Sequence, residues 1–453
     1  MEQIEQFVPQ CQLFSMRTLG RLIVPLMIEQ ALSVAVGVAD ILMISVMGEN
    51  AVSGIALVNE INLLMIQLLA ALATGGAVVV SQYLGRGEAA EGRTAASQLM
   101  LVVLILSSVL TAVSLVFNKG ILHMIYGTID ETVLHSASVY FYFSAASFPF
   151  IGLYNASAAL FRSMGNSRVS MMTALMMNVV HIGCNVLGIY VFRLGVPGAA
   201  ISSLLSRILA AVVMQILLSN RHNAIYLDHR QKFRYVPDMV KRILSIGIPN
   251  GLENGMFQVG KLMTQSIIAS LGTMALAAHA AAGNIMSVAI IPGSAIGLAM
   301  ITVVGQCMGA SEQQQAKQNV RRMMAMTYAA NILLSIVLYL LSAQALGLYG
   351  LGEETRRMAR SLIPLFSIAM ACIWPTSFTL ANALRAAGDV RYTMTVSMLS
   401  MWLFRVGMSI VFAHIFHLGL NSVWYAMYID WAVRSAALLI RWRSGRWQEI
   451  RVI

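Results

Sequence analysis

This sequence predicts an all-α polytopic membrane protein: twelve transmembrane helices in two six-helix lobes related by a parallel internal repeat. Three observations carry that prediction. First, only 11% of the 453 residues are charged, 58% are hydrophobic, and mean hydropathy is +0.74. A soluble domain carries about 25% charged residues, so too few charges remain for a water-facing surface; soluble enzymes and nucleic-acid binders are poor readings. Second, the chain breaks into apolar runs long enough to cross a bilayer, which takes roughly 20 residues each. Third, the same pattern of Pro, Glu, Gln and Gly occurs twice.

The runs lie at about 20–46, 51–80, 95–117, 135–161, 168–193, 196–218, 243–270, 275–303, 322–346, 358–384, 391–416 and 420–441, separated by polar or Gly/Pro breaks. Residues 1–19 are mixed polar, without the basic start, short apolar core and small-residue cleavage site of a signal peptide. The expected division is an N-lobe at 1–218, a cytoplasmic linker at 219–242 and a C-lobe at 243–453.

Basic residues orient the chain. They collect at Arg17 and Arg21, at Arg86, Arg93, Arg162 and Arg168, and in the central loop at Arg221, Arg230, Lys232, Arg234, Lys241 and Arg242. Lys317, Arg321, Arg322, Arg385, Arg391 and the C-terminal Arg441, Arg443, Arg446 and Arg451 continue the series. The opposite loops hold only Lys119, Arg193, Arg356, Arg357 and Arg360. The positive-inside rule then places both termini in the cytoplasm of a multi-pass protein of the inner (plasma) membrane.

The repeat is in register. Pro25 and Glu29 in VPLMIE match Pro249 and Glu253 in IPNGLE, a spacing of 224 (249 − 25). VVVSQYLGRGE, ending at Glu88, matches TVVGQCMGASE, ending at Glu312, at the same spacing, and FRSMGNSR from Phe161 resembles LRAAGDVR from Leu384. Similar apolar helices would share Leu and Val by chance, but not Pro, Gln, Gly and Glu in step. Six spans per copy is an even number, so both copies enter the membrane in one direction and flank a cleft near the midplane, the layout of an alternating-access transporter.

These residues also carry a family resemblance. The early Pro, the intramembrane Asp fifteen residues on, and the paired loop motifs resemble the multidrug and toxic compound extrusion family over essentially the whole chain. The resemblance implies cation-coupled export of amphipathic, often cationic, organic compounds by a monomer in the lipid bilayer. It implies no nucleic acid and no cofactor beyond H⁺ or Na⁺.

An ionised side chain at a span centre costs roughly 2.5–3.5 kcal/mol on insertion scales and marks a partner, a water-filled cavity or a function. Asp40 in the first span has no basic residue within a helical turn. Carboxylates in that setting take up and release protons as water reaches them. The bland alternative is a carboxylate satisfied by Asn, Ser or Thr of a neighbouring helix. In the fifth span Asn178, His181 and Asn185 share one helical face. Family members of the DinF type place the N-lobe coupling carboxylate at Asp40, with an Asn and an Asp four apart in the fifth span. Here those two positions read His181 and Asn185, which favours H⁺ over Na⁺.

In the seventh span Glu253 and Lys261 fall eight apart, near Met256 and Phe257, and the tenth span offers Trp374 and Phe378. The resemblance implies a substrate or second-ion site there, with Na⁺ possible at Asp40 or Glu253, although the tenth-span acid of NorM-type members is missing. Glu29, the repeat mate of Glu253, shares that expectation. A Glu253–Lys261 pair is the structural alternative. Asp430 and Arg434 are four apart, the spacing of an intrahelical ion pair, which Arg405 can join; Arg207 needs a partner, with Glu60 a candidate.

Thirty-one methionines suit promiscuous surfaces as well as ordinary packing. There is no GxxxxGK[ST] loop, HExxH or nucleophile elbow, so the chain does not read as an ATP-driven pump or an enzyme. The four cysteines (Cys11, Cys184, Cys307, Cys372) form no CxxC or metal-spaced set. One alternative remains, a flippase of lipid-linked glycans, which needs a basic cavity; Arg207, Lys261, Arg405 and Arg434 are available for it.

Overall fold

The computed structural model describes residues 13–127, 130–227 and 235–453; Cys11, Arg230, Lys232 and Arg234 lie outside these. Twelve helical rods run through it, labelled α1 to α12. In the first half they are α1 (Met16–Met47), α2 (Glu49–Arg86), α3 (Ala89–Val116), α4 (131–163), α5 (Ser167–Val191) and α6 (Val196–Leu218). In the second half they are α7 (Pro237–Ser270), α8 (Thr273–Gly309), α9 (Gln313–Gly347), α10 (353–386), α11 (Val390–His414) and α12 (Asn421–Ser444). Eight rods are long and apolar enough to cross a bilayer alone, and α10, bent by 51° between Cys372 and Pro375, makes a ninth. Of the other three, α4 is interrupted at Ser147, and α7 and α12 carry charged residues within the helix.

Local chemistry sets the ends. The Ser15 hydroxyl caps α1 by accepting from the Thr18 amide at 3.2 Å, and Asp130 caps α4 by accepting from the Thr132 amide at 2.9 Å. That cap, with the Thr132 hydroxyl bond, holds the exposed Asp130 carboxyl below the usual carboxylate range. Several helices outrun their apolar stretch: α2 continues to Arg86, α9 starts at Gln313, and α7 starts at Pro237, inside the expected linker. A proline at the first helical turn loses no hydrogen bond, so the polar start of α7 stays helical. After α6 the chain docks on α3, with Ile225 fully buried and Arg93 Nη1 donating to the Tyr226 hydroxyl at 2.8 Å.

Three apolar cores divide the molecule. One is built from α2 to α6 but includes Met239, Ile243 and Ile246 from the start of α7. A second joins Leu19, Leu22, Ile23 and Leu26 from the start of α1 to α8, α9, α10 and α12. A third fills the opposite half of the C-terminal bundle with Trp374, Trp424, Trp431 and Phe366. The first halves of α1 and α7 therefore each pack into the other bundle. The bundles meet at the end carrying both termini, where the Leu13 amide donates to Gln315 and Arg86 reaches the Ile453 carbonyl oxygen.

Candidate functional site

The N-lobe site is assembled by α1, α5 and α6. Asp40 lies in the second half of α1, and the π-helical turn Val186–Val191 ends α5 just beyond Asn185. His181 Nε2 stands 2.9 and 3.0 Å from the two Asp40 carboxylate oxygens. Asn185 Nδ2 donates to Asp40 Oδ1 at 3.1 Å and lies 3.3 Å from His181 Nε2. These groups open on a cavity of about 180 Å³ that Asn178, Asn59, Tyr140 and Arg207 also line. The structure thus brings together Asp40, Asn178, His181 and Asn185. Arg207 belongs with them and not with Glu60: its Nη1 donates to the Ser147 hydroxyl at 2.6 Å. Glu60 instead accepts from Gln258 of α7 at 3.2 Å.

Tyr140 and Asn59 are among the cavity-wall residues that the sequence did not flag. Tyr140 sits in a run of aromatic and small residues without a charge to mark it, and Asn59 adjoins the more conspicuous Glu60.

The C-lobe differs from expectation. Lys261 is not the partner of Glu253: Glu253 Oε1 is paired with Arg385 Nη2 at 2.5 Å, and Asn382 accepts from Arg385 Nη1 at 2.8 Å. Glu29 repeats the arrangement in the N-lobe, with Arg162 at 3.4 Å and the Ser170 hydroxyl donating at 2.8 Å. Arg162 and Arg385, read as loop residues, are therefore half-buried parts of α4 and α10. Their charges are met within the bundle, so those helices need not end at the last apolar residue.

Asp430 and Arg434 are paired at 3.2 Å, Arg405 Nη1 approaches Asp430 at 3.7 Å, and the Ser400 hydroxyl donates to Asp430 at 2.5 Å. Arg405 is carried by a π-helical stretch, Ser400–Gly407. Phe257 meets Phe378 edge-on at 6.1 Å, and Trp374 stacks on Phe378 at 5.1 Å. The Trp374 ring lies over Gly293, where a Cβ would stand 2.0 Å from it, so Trp374 is part of the bundle interior rather than an open wall. Met256, next to Phe257, is half-buried.

A duplicated helical bundle with an intramembrane carboxylate and a polar cavity in its first half defines a multi-pass membrane transporter. The MatE family profile matches twice, at residues 25–187 and 249–411, with the 224-residue spacing of the repeat (249 − 25). The chain belongs to this family. It is 25% identical over 429 residues to an uncharacterized transporter, YisQ, of Bacillus subtilis, covering 93% of each chain. To a probable multidrug resistance protein NorM of Thermotoga maritima it is 24% identical, covering 96% of this chain and 94% of that one. Its fold superposes on the outward-facing conformation of a multidrug resistance MATE family transporter with TM-score 0.89 at 19% identity, covering 96% of both chains.

Proposed function

We propose that the chain is a secondary exporter of amphipathic organic compounds driven by inward H⁺ movement at Asp40, in the plasma membrane with both termini cytoplasmic. One observation carries the reading: the groups on the Asp40 carboxylate are nitrogen atoms of His181 and Asn185, at 2.9 to 3.1 Å. Na⁺ and other hard cations need a set of oxygen ligands, whereas the side chains in contact with the Asp40 carboxylate present nitrogen atoms to it. A proton needs only the carboxylate oxygen itself, with the imidazole and the amide in hydrogen-bond reach.

Protonation of Asp40 removes the charge that holds His181 and Asn185, freeing the second half of α1 from α5. Bound substrate and bound proton then favour different packings, and their mutual exclusion is the coupling. Each pH unit supplies about 1.4 kcal/mol per proton. The cationic substrates that the resemblance implies find their C-lobe carboxylates already paired with arginine.

The test is dye movement in membrane vesicles under an imposed ΔpH or ΔpNa, with ethidium and with fluorescein, for wild type and Asp40→Asn. The expected result is movement of at least one dye that follows ΔpH and is lost in Asp40→Asn. Movement that follows ΔpNa, or that survives in Asp40→Asn, would sink the reading. A lipid-linked glycan flippase remains the second reading, favoured by Lys261, Arg405 and Arg434. Movement of neither dye by correctly inserted protein, with accelerated flipping of a lipid-linked pyrophosphate, would put it first.

A further inference from the structure

The two halves of the repeat do not carry the same charge. At the 224-residue spacing of the first span Asp40 corresponds to Thr264, and at the 223 of the FRSMGNSR and LRAAGDVR loops (384 − 161) His181 corresponds to Phe404, next to Arg405. The carboxylate that organises the N-lobe cavity has no acid at the matching C-lobe position, and an arginine adjoins the position of the imidazole. Lys261, Arg405 and His279 lie within electrostatic reach of one another. Lys261 is exposed in the middle of α7 and makes no ion pair among the described residues. Glu60, across the interface on α2, is the carboxylate nearest to offsetting it, and it is engaged by Gln258. Asp430 is the acid shared by Arg405 and Arg434. Three cations therefore converge where a purely structural network would balance them.

Aromatic rings flank the two arginines. The Arg405 and Arg434 guanidinium carbons lie 5.5 and 5.4 Å from the Phe257 ring centre, and Arg434 lies 4.9 Å from that of Phe378. Buried donors around them lack acceptors: Nε of Arg405 and of Arg434, Nε1 of Trp424 and of Trp431, and the Tyr428 hydroxyl. Trp424, Trp431 and Arg434 are all more than nine-tenths buried. An unmet buried donor costs about 1–3 kcal/mol, so a set of them beside excess positive charge is matched to an acceptor-rich group. The π-helical stretch that holds Arg405 frees backbone regularity at this point, as π-bulges do at functional sites.

We propose that the C-lobe contains an anion site on Lys261, Arg405 and Arg434, with Phe257 and Phe378 as its apolar wall, that takes the carboxylate or phosphate head of an amphipathic substrate. This rests on the reading of the chain as an exporter, and it names the substrate class that the reading leaves open. The head group lies on the guanidinium and ammonium groups, and its organic body packs beside the two phenylalanines. Substrates with a negative end are accommodated, and simple organic cations are repelled.

The test is equilibrium binding of fluorescein, an aromatic carboxylate, to the full-length protein in phosphatidylcholine nanodiscs, with ethidium as the cationic comparison. Lys261→Gln and Arg405→Gln are expected to weaken fluorescein binding about tenfold or more, without weakening ethidium. Lys261→Gln has no ion pair to lose, so it reports on the site even if Arg405→Gln fails to fold. Displacement of fluorescein by added phosphatidylglycerol assigns the site to a lipid head group, and no displacement assigns it to a soluble anion; either supports an anion site. Equal fluorescein affinity in wild type and Lys261→Gln, or no binding by wild type, would overturn the proposal. Binding needs no ion gradient, so this failure is distinct from loss of ΔpH-driven movement, which would strike the exporter reading alone.

Discussion

Gln82 and Gln306, one repeat apart, grip opposite bundles with the same atom. Gln82 Nε2 donates to the Ala386 carbonyl oxygen at 3.0 Å, and Gln306 Nε2 donates to that of Ser163 at 2.7 Å. Glycine makes the approach possible. A Cβ at Gly85 would lie 2.0 Å from the Gln306 carbonyl oxygen, and one at Gly309 would lie 1.9 Å from that of Gln82. The QxxG spacing thus builds a reciprocal clamp between α2 and α8 at the face carrying both termini.

Opening that face requires both bonds to break. Gln82→Ala and Gln306→Ala should each shift the population toward the open form by about 1 kcal/mol, roughly fivefold. Gly309→Ala should do more, since the obstacle is backbone and no rotamer change relieves it. Spin labels at the exposed Glu88 and Lys317, measured by electron–electron distance spectroscopy, report the separation. Unchanged distance distributions in Gly309→Ala would show that the clamp does not hold the bundles together.

The Glu253–Arg385 pair yields a second prediction. Glu253 is buried and the Arg385 side chain is only 14% exposed, so Glu253→Gln leaves an uncompensated guanidinium and should destabilise by about 3 kcal/mol. The double variant Glu253→Gln/Arg385→Gln should recover much of that loss. Thermal unfolding in detergent, single against double, decides it. A Glu253→Gln protein of normal stability that has lost ion coupling would return Glu253 to the role of an ion site.

The duplication and the N-lobe polar focus were legible because both are written in local spacing. Pro25 and Pro249 fix the register, while Asn178, His181 and Asn185 fall on one face by helical period alone. Asp430 with Arg434 follows from the four-residue turn. Glu253 with Arg385 was not legible, because the partners lie 132 residues apart and Arg385 follows the apolar run like any loop arginine. The proposed pairing with Lys261 fails on reach: eight residues of helix is about 12 Å, too far for the two side chains to close. The equivalent glutamates and arginines of the two repeats did carry a signal, since each pair keeps nearly the same separation in the chain.

His181 and Asn185 should differ in effect. His181 touches both Asp40 oxygens and Asn185 only one. Hydrogen bonds to a charged group contribute about 1.5–3 kcal/mol each. His181→Ala should therefore reduce ΔpH-driven movement more than Asn185→Ala, and His181→Gln, which keeps an N–H donor, should fall between them. Initial rates at fixed ΔpH, normalised to inserted protein, provide the comparison. A larger loss in Asn185→Ala would mean that the imidazole is packing and that the amide orients the carboxylate.

Asp430 supplies the most demanding case, because structure and function diverge there. It is fully buried and accepts from Ser400 while facing both Arg405 and Arg434. Asp430→Asn removes the one acid of the cluster, so it should cost stability by several kcal/mol and raise the positive charge around Phe257. If the cluster is an anion site, the folded fraction of Asp430→Asn should bind fluorescein at least as tightly as wild type despite its lower melting temperature. If the arginines serve only the ion pair, stability and binding should fall together. Melting and titration of one preparation separate the two outcomes, since only an anion site sets them moving in opposite directions.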